Sequence, residues 1–226
     1  MIPIRDENPT RGTPVVNYLL IAVNVLVFIL MALAGPQNET LVYQFAMIPS
    51  QITRGLDLGD ISDIFTSMFM HAGLAHIAGN MLYLWIFGDN VEDSMGHGRY
   101  LLFYLIGGIA ASVTHILTNP NSPIPTVGAS GAIAAALGAY LVLFPRSRVV
   151  TILPLGFYIH LATVPAVIVL GLWFVLQFFQ GALTLGMSED MGGVAFWAHI
   201  GGFVAGVALA KLFARPERTI YYAMRW

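Results

Sequence analysis

Two side chains far apart in this sequence would make an activated nucleophile if the fold brought them together. They are Ser130, in Gly128-Ala129-Ser130-Gly131, and His199, in Ala198-His199 followed by Gly202 and Gly206. A serine hydroxyl attacks poorly until an imidazole accepts its proton. A second pair, His76 and Asn80, has i, i+4 spacing and so shares one helix face. Their N–H groups, with the backbone N–H of Ser130 at a helix start, suit the charge that develops on a carbonyl oxygen under attack. Each residue also has a plainer use. Ser-Gly pairs at membrane helix starts serve close packing, a lone histidine can bond a backbone carbonyl, and His76 with Asn80 can simply bridge two helices.

The elements that must hold these residues are membrane helices. Hydrophobic residues make up 57% of 226 positions, charged residues only 10%, and the mean hydropathy is +0.75. Soluble domains carry roughly a quarter charged residues, so a solvent other than water must cover this chain. A crossing helix needs about 20 apolar residues. Uncharged stretches of that kind run from Asn17 to Gly35, Ile64 to Gly88, Tyr100 to Leu117, Val127 to Phe144 and Met191 to Ala210. Between Val149 and Ser188 lie 40 more uncharged residues, interrupted by Pro154, Gly156 and Pro165. Val149 to Thr163 is therefore expected to be an interfacial or re-entrant connection, followed by one span from about Pro165 to Leu183. Six spans with a cytoplasmic N-terminus leave nine of the 10 basic residues inside and only Arg54 outside, as the positive-inside rule asks. The expected fold class is an all-α membrane protein of six transmembrane helices. It forms one domain over residues 1–226, with short cytoplasmic tails at 1–16 and 211–226.

Several functions drop out at this point. None of the six spans holds Asp, Glu, Lys or Arg, which argues against ion-coupled transport and against an intramembrane aspartyl protease. A Ser-His-Asp triad is likewise unavailable, so a serine enzyme here must use a dyad. Zero Cys removes thiolate chemistry, and the net charge of -2 with dispersed Lys and Arg gives no case for nucleic acid. His71, His76, His115 and His199 could ligate a metal, but no carboxylate accompanies them, and no metal or cofactor is expected. Small residues favour the dyad instead. Ser130, Ala134 and Gly138 form one stripe, while His199, Gly202 and Gly206 form another. Two such faces allow close backbone approach.

These pieces together resemble the rhomboid family of intramembrane serine proteases across nearly the whole chain. The matching elements are His71-x4-His76-x3-Asn80, Gly128-Ala129-Ser130-Gly131 and Ala198-His199-x2-Gly202-x3-Gly206, in that order on alternate spans. The resemblance implies a rhomboid-like bundle with Ser130 as nucleophile, His199 as general base, and His76 and Asn80 as oxyanion stabilisers. It also implies transmembrane proteins as substrates, cut near the outer face, and a multi-pass location in a cell or inner membrane. Glu92 matches a family position with a structural role. Two departures stand out. The first outer loop, roughly Pro36 to Asp63, lacks the Trp-Arg pair of many members. Ala134 stands where some members carry a tyrosine that stacks on the histidine, so His199 must be oriented some other way.

The competing function is a non-catalytic rhomboid-like protein that binds membrane clients; such proteins usually lack the serine or the histidine, and both are present here. A solute channel would need polar residues toward both faces. Access to a buried dyad requires motion, and the stretch from Gly186 to Gly193 carries Gly186, Gly192 and Gly193 with Met187 and Met191. It is expected to be a lid above His199. The span before it has few small residues to hold it, and is expected to open as a lateral gate beside the second span.

Overall fold

The computed structural model describes residues 1–155, 158–184 and 194–216, so the expected lid at 186–193 and the tail residues Arg218 and Arg225 lie outside the described residues. A strand, β1 (Ile2–Asp6), precedes the first long helix, α1 (Val15–Leu33). The loop that follows is itself helical: a 3-10 turn at Gly35–Gln37, then α2 (Asn38–Phe45), α3 (Pro49–Arg54) and α4 (Leu58–Thr66). Asp57 and Asp60 form a reciprocal capping box that starts α4, each carboxylate accepting an otherwise unpaired backbone N–H.

The second apolar stretch begins its helix later than expected. Residues from Ile64 finish α4 and make a 3-10 turn at Ser67–Phe69, and α5 starts only at Leu74. Gly73, extended at φ 178° and ψ 172°, sets the break. Helix α5 (Leu74–Tyr83) then runs through a π turn at Leu84–Gly88 into α6 (Asp89–Met95). Asn17 of α1 reaches into that turn, donating its amide N–H to the Leu84 carbonyl at 3.0 Å while its amide oxygen accepts from the Tyr100 hydroxyl at 2.8 Å. A π turn leaves a carbonyl out of the regular ladder, and Asn17 takes it up. Pro14 provides no side-chain cap for α1. The Glu92 carboxylate of α6 supplies one, accepting the N–H groups of Val16 at 2.9 Å and Asn17 at 2.6 Å, and it also pairs with His97. Negative charge at a helix N-terminus is favourable, so Glu92 has the structural role expected of it.

Helix α7 (His97–Thr118) leads into an irregular segment and then α8 (Ser130–Leu143). Every residue of α8 from Gly131 to Tyr140 is buried, which makes it the axis of the bundle. Between α8 and α9 the expected connection is built as a β-hairpin, which corrects the all-α class. Strands β2 (Arg148–Leu155) and β3 (Tyr158–Pro165) pair antiparallel, and β1 pairs with β2 to complete a three-stranded sheet. Val149, Val150, Thr151 and Ile152 face Val164, Thr163, Ala162 and Leu161 across the ladder, a set dominated by the β-branched Val, Ile and Thr that favour strand. Absence of charge, read there as membrane contact, does not distinguish the two. Helices α9 (Ala166–Thr184) and α10 (Phe196–Phe213) complete the chain. Of the described helices, α1, α7, α9 and α10 are each long and apolar enough to cross a membrane.

Strand β1 meets α8 where the Tyr140 hydroxyl donates to the Asp6 carboxylate at 2.5 Å. Burial pushes the Asp6 carboxyl up to about 6 against that bond. Burial, with the nearby Asp6 charge, pushes Asp89 up to about 7. The folded chain therefore holds these protons in a range where an unfolded carboxyl, titrating near 3.8, has lost them. Their contribution to stability is complete below about pH 4 and is lost as pH rises through about 6 to 7. Asp89→Asn keeps the oxygen that accepts the Asn90 N–H at 2.7 Å and cannot ionise. It is expected to raise the melting temperature in detergent at pH 8 and to change it little at pH 4. An equal shift at both pH values would refute the assignment.

Candidate active site

Ser130 opens α8, and the segment before it is tied down at several points. The Thr126 N–H donates to the Met47 carbonyl at 2.8 Å, and the Gly128 N–H to the Ser67 carbonyl at 2.9 Å. Ser50 N–H bonds the Ser122 carbonyl at 2.9 Å, and the Thr53 hydroxyl the Pro120 carbonyl at 2.7 Å. The loop between α1 and α5, which lacks the Trp-Arg pair, thus braces the approach to the serine. His115 of α7 joins in, with Nε2 at 3.2 Å from the Thr126 hydroxyl in the same loop.

The histidine reaches the serine because α8 and α10 touch backbone to backbone. A methyl group added at Gly202 would overlap the Gly131 carbonyl, one at Gly206 the Ala135 carbonyl, and one at Gly138 the Phe203 carbonyl. Glycine at these positions is what permits so short a separation. The two stripes read from the sequence do meet. His199, buried, places Nε2 at 2.7 Å from Ser130 Oγ.

Its other ring nitrogen has a partner that sequence reasoning missed. Nδ1 lies 2.6 Å from Oε1 of Gln177 on α9. One turn earlier on the same helix, the Trp173 indole lies 5.9 Å from the imidazole at an interplanar angle of 33°. Ala134 is fully buried within α8, and α9 supplies the ring contact from the other side. A polar side chain in an apolar span is the signal that could have found Gln177.

His76 and Asn80 come from α5. A Cβ at Gly128, where φ is +135°, would stand 2.8 Å from His76 Nε2 and 3.5 Å from Ser130 Oγ, so the imidazole nitrogen and the hydroxyl flank one glycine. A side chain there would be strained as well as crowded. Asn80 is buried, and its amide nitrogen has no hydrogen-bond acceptor among the described residues. Buried donors normally find acceptors, so this one is available to a bound oxygen. His71 is buried with its ring 5.1 Å from that of His76, edge to face. A narrow cleft beside Ser130 is lined by Met47, Met68, Ala111, Gly128, Ala132 and Ala198. Hydroxyls of Ser67, Ser112 and Thr126 share the lining with these apolar groups.

Residues 58–216 match the family model described as the Rhomboid domain. The rhomboid protease GluP of Bacillus subtilis strain 168 is 36% identical over 209 residues, which cover 92% of this chain and 36% of that protein. RHOMBOID-like protein 12, mitochondrial, of Arabidopsis thaliana is 30% identical over 68% of this chain and 47% of its own. Rhomboid protein 1, mitochondrial, of Saccharomyces cerevisiae is 25% identical over 92% of this chain and 58% of its own. The chain therefore spans between about a third and three fifths of the length of these relatives.

Proposed function

This chain belongs to the rhomboid family, and from that premise we propose that it is an intramembrane serine endopeptidase that cuts transmembrane segments of other proteins. The observation that carries the proposal is the hydrogen-bonded pair of Ser130 Oγ and His199 Nε2 at 2.7 Å. A non-catalytic client-binding protein would have no need of a serine and an imidazole in contact.

The chemistry follows from the geometry. His199 Nε2 takes the hydroxyl proton as Ser130 Oγ attacks the carbonyl carbon of the scissile bond. The resulting oxyanion is stabilised by N–H groups of His76 and Asn80 and by the backbone N–H of Ser130, which lies in the first turn of α8 and has no intrahelical acceptor. His199 then returns the proton to the leaving amine. Water, activated by the same imidazole, hydrolyses the acyl-enzyme.

The membrane setting supports the same reading. Adding α5 with its π turn (Leu74–Gly88) and α8 to the four long apolar helices gives six crossings, with both termini cytoplasmic by the distribution of Lys and Arg. Helix α8 has 14 residues, about 21 Å, against a hydrocarbon core of about 30 Å. A helix that short begins inside the membrane, so Ser130 lies in its outer third, below the surface where water is plentiful. The expected surroundings are lipid and transmembrane substrates.

Incubating the purified protein with a fluorophosphonate tests the proposal: label is expected on Ser130 and to be lost when His199 is replaced by alanine. Label elsewhere, or none under conditions where the protein is folded, would overturn it. Asn80→Ala is expected to lower kcat by roughly 10- to 10³-fold with KM nearly unchanged, because the other donors remain. A change confined to KM would move Asn80 to substrate binding.

A further inference from the structure

We propose that Gln177 is the positioning residue for the base, holding His199 in the one tautomer that can accept the serine proton; this rests on the Ser130–His199 reading above. A neutral imidazole has one N–H and one lone pair, and which nitrogen carries which is set by the partner of the other. At Nδ1 the partner is the Gln177 amide oxygen, 2.6 Å away. An oxygen there can only accept, so Nδ1 carries the hydrogen. Nε2 is left with its lone pair directed at Ser130 Oγ, 2.7 Å distant. The alternative tautomer would aim an N–H at the hydroxyl, and to keep its bond at Nδ1 the Gln177 amide would have to turn over and donate from its nitrogen.

An amide suits this place better than a carboxylate. Taking a carboxylate out of water costs several kcal/mol even when it is paired, and none of the apolar spans holds one. The amide offers the same acceptor without the charge. It therefore fixes direction and tautomer, and gives the imidazolium less electrostatic help than a carboxylate would.

The second contact from α9 completes the clamp. Trp173 and Gln177 are one turn apart and therefore share a face. The indole, 5.9 Å from the imidazole, limits its tilt, while the amide fixes its rotation. Both groups ride on one helix. That helix is seated on α10 by Phe174 stacked on Phe203 at 4.6 Å, and by Gly181 against Phe196 and Ile200. Its other side, including Ile168, Leu172, Val175 and Phe179, is exposed. The base is thus aligned only while α9 is docked. If α9 is also the lateral gate, substrate entry and alignment of the base alternate.

The test uses Gln177→Met, which keeps the length of the side chain and its compatibility with an apolar span while removing the acceptor, and Gln177→Glu, which restores an acceptor oxygen. Gln177→Met is expected to lower kcat on a transmembrane substrate about tenfold to a hundredfold, with KM within about twofold of the parent and an unchanged melting temperature. Gln177→Glu is expected to recover most of that loss. Nitrogen NMR of histidine-labelled protein in detergent is expected to show His199 protonated at Nδ1 in the parent and as a mixture of tautomers in Gln177→Met. Should Gln177→Met melt early, the same comparison is made with Gln177→Leu. A parent-like kcat together with a parent-like tautomer in the methionine variant would overturn the role. Ser130→Ala run in parallel separates the two levels. Its inactivity beside a fully active Gln177→Met defeats only the positioning role, whereas its activity defeats the Ser130–His199 reading itself.

Discussion

Ser130→Ala is expected to abolish cleavage of a transmembrane substrate, a loss of about 10⁴-fold or more, while the protein still melts at the parent temperature. The expected size follows from the absence of a substitute. The described apolar helices hold no carboxylate and the chain no cysteine, and among the described residues Ser130 carries the hydroxyl that is hydrogen-bonded to His199. The change itself is small, since Ser130 Oγ bonds His199 and alanine is the better helix former. His199→Ala is expected to lose as much activity and some stability besides. It empties the space against Trp173 and leaves the Gln177 oxygen without its donor, at about 1–3 kcal/mol for an orphaned polar group. Cleavage assays on detergent-purified protein, paired with thermal unfolding, decide both. More than a trace of cleavage by Ser130→Ala would end the serine assignment.

Gly206→Val is expected to be nearly as damaging to activity and far more damaging to the fold. A Cβ at Gly206 overlaps the carbonyl oxygen, carbonyl carbon and Cα of Ala135. All are backbone atoms of a buried helix, so no side chain can swing aside, and α8 and α10 must separate. Overpacking of a core typically costs 1–3 kcal/mol, and valine adds two further methyls at the crossing. The same separation carries His199 away from Ser130, and a displacement of about 1 Å can cost a hundredfold in rate. Gly171→Ala is the control, because a methyl there meets nothing within 4 Å. Thermal unfolding in detergent should show a clear fall for Gly206→Val and almost none for Gly171→Ala. Equal melting temperatures would mean that the α8–α10 contact does not carry the stability assigned to it.

How much of the site could be read early depended on the kind of information each residue carried. Ser130, His199, His76 and Asn80 were legible as candidates because hydroxyl, imidazole and amide groups are conspicuous among apolar neighbours, and because i, i+4 spacing states a shared helix face without any tertiary knowledge. Glu92 was legible as structural, though not the carboxylate cap it provides for α1. Gln177 is equally an amide among apolar neighbours, but what it does depends on a partner 22 positions away on another helix. No periodicity within α9 points to it. The sheet was misread for a different reason: residues 149–163 lack charge, and hydropathy reports the solvent a segment tolerates, not its backbone geometry. In the same way, apolarity from Ile64 onward concealed the turn that delays α5 to Leu74.

What the sequence determined by itself was the solvent of the chain, its helical character and the inventory of reactive groups, since these depend on composition and on spacing within one turn of helix. What only the tertiary structure decided was distance. Ser130 and His199 meet because glycine at 138, 202 and 206 removes the side chains that would hold α8 and α10 apart. The tautomer of His199 depends on where α9 places one amide oxygen. The π turn in the second apolar stretch is matched by Asn17 from the first helix and by the Tyr100 hydroxyl from a third. Each of these is a contact between segments remote along the chain. Its energy comes from short-range packing and hydrogen bonding, which only the assembled helices bring into range.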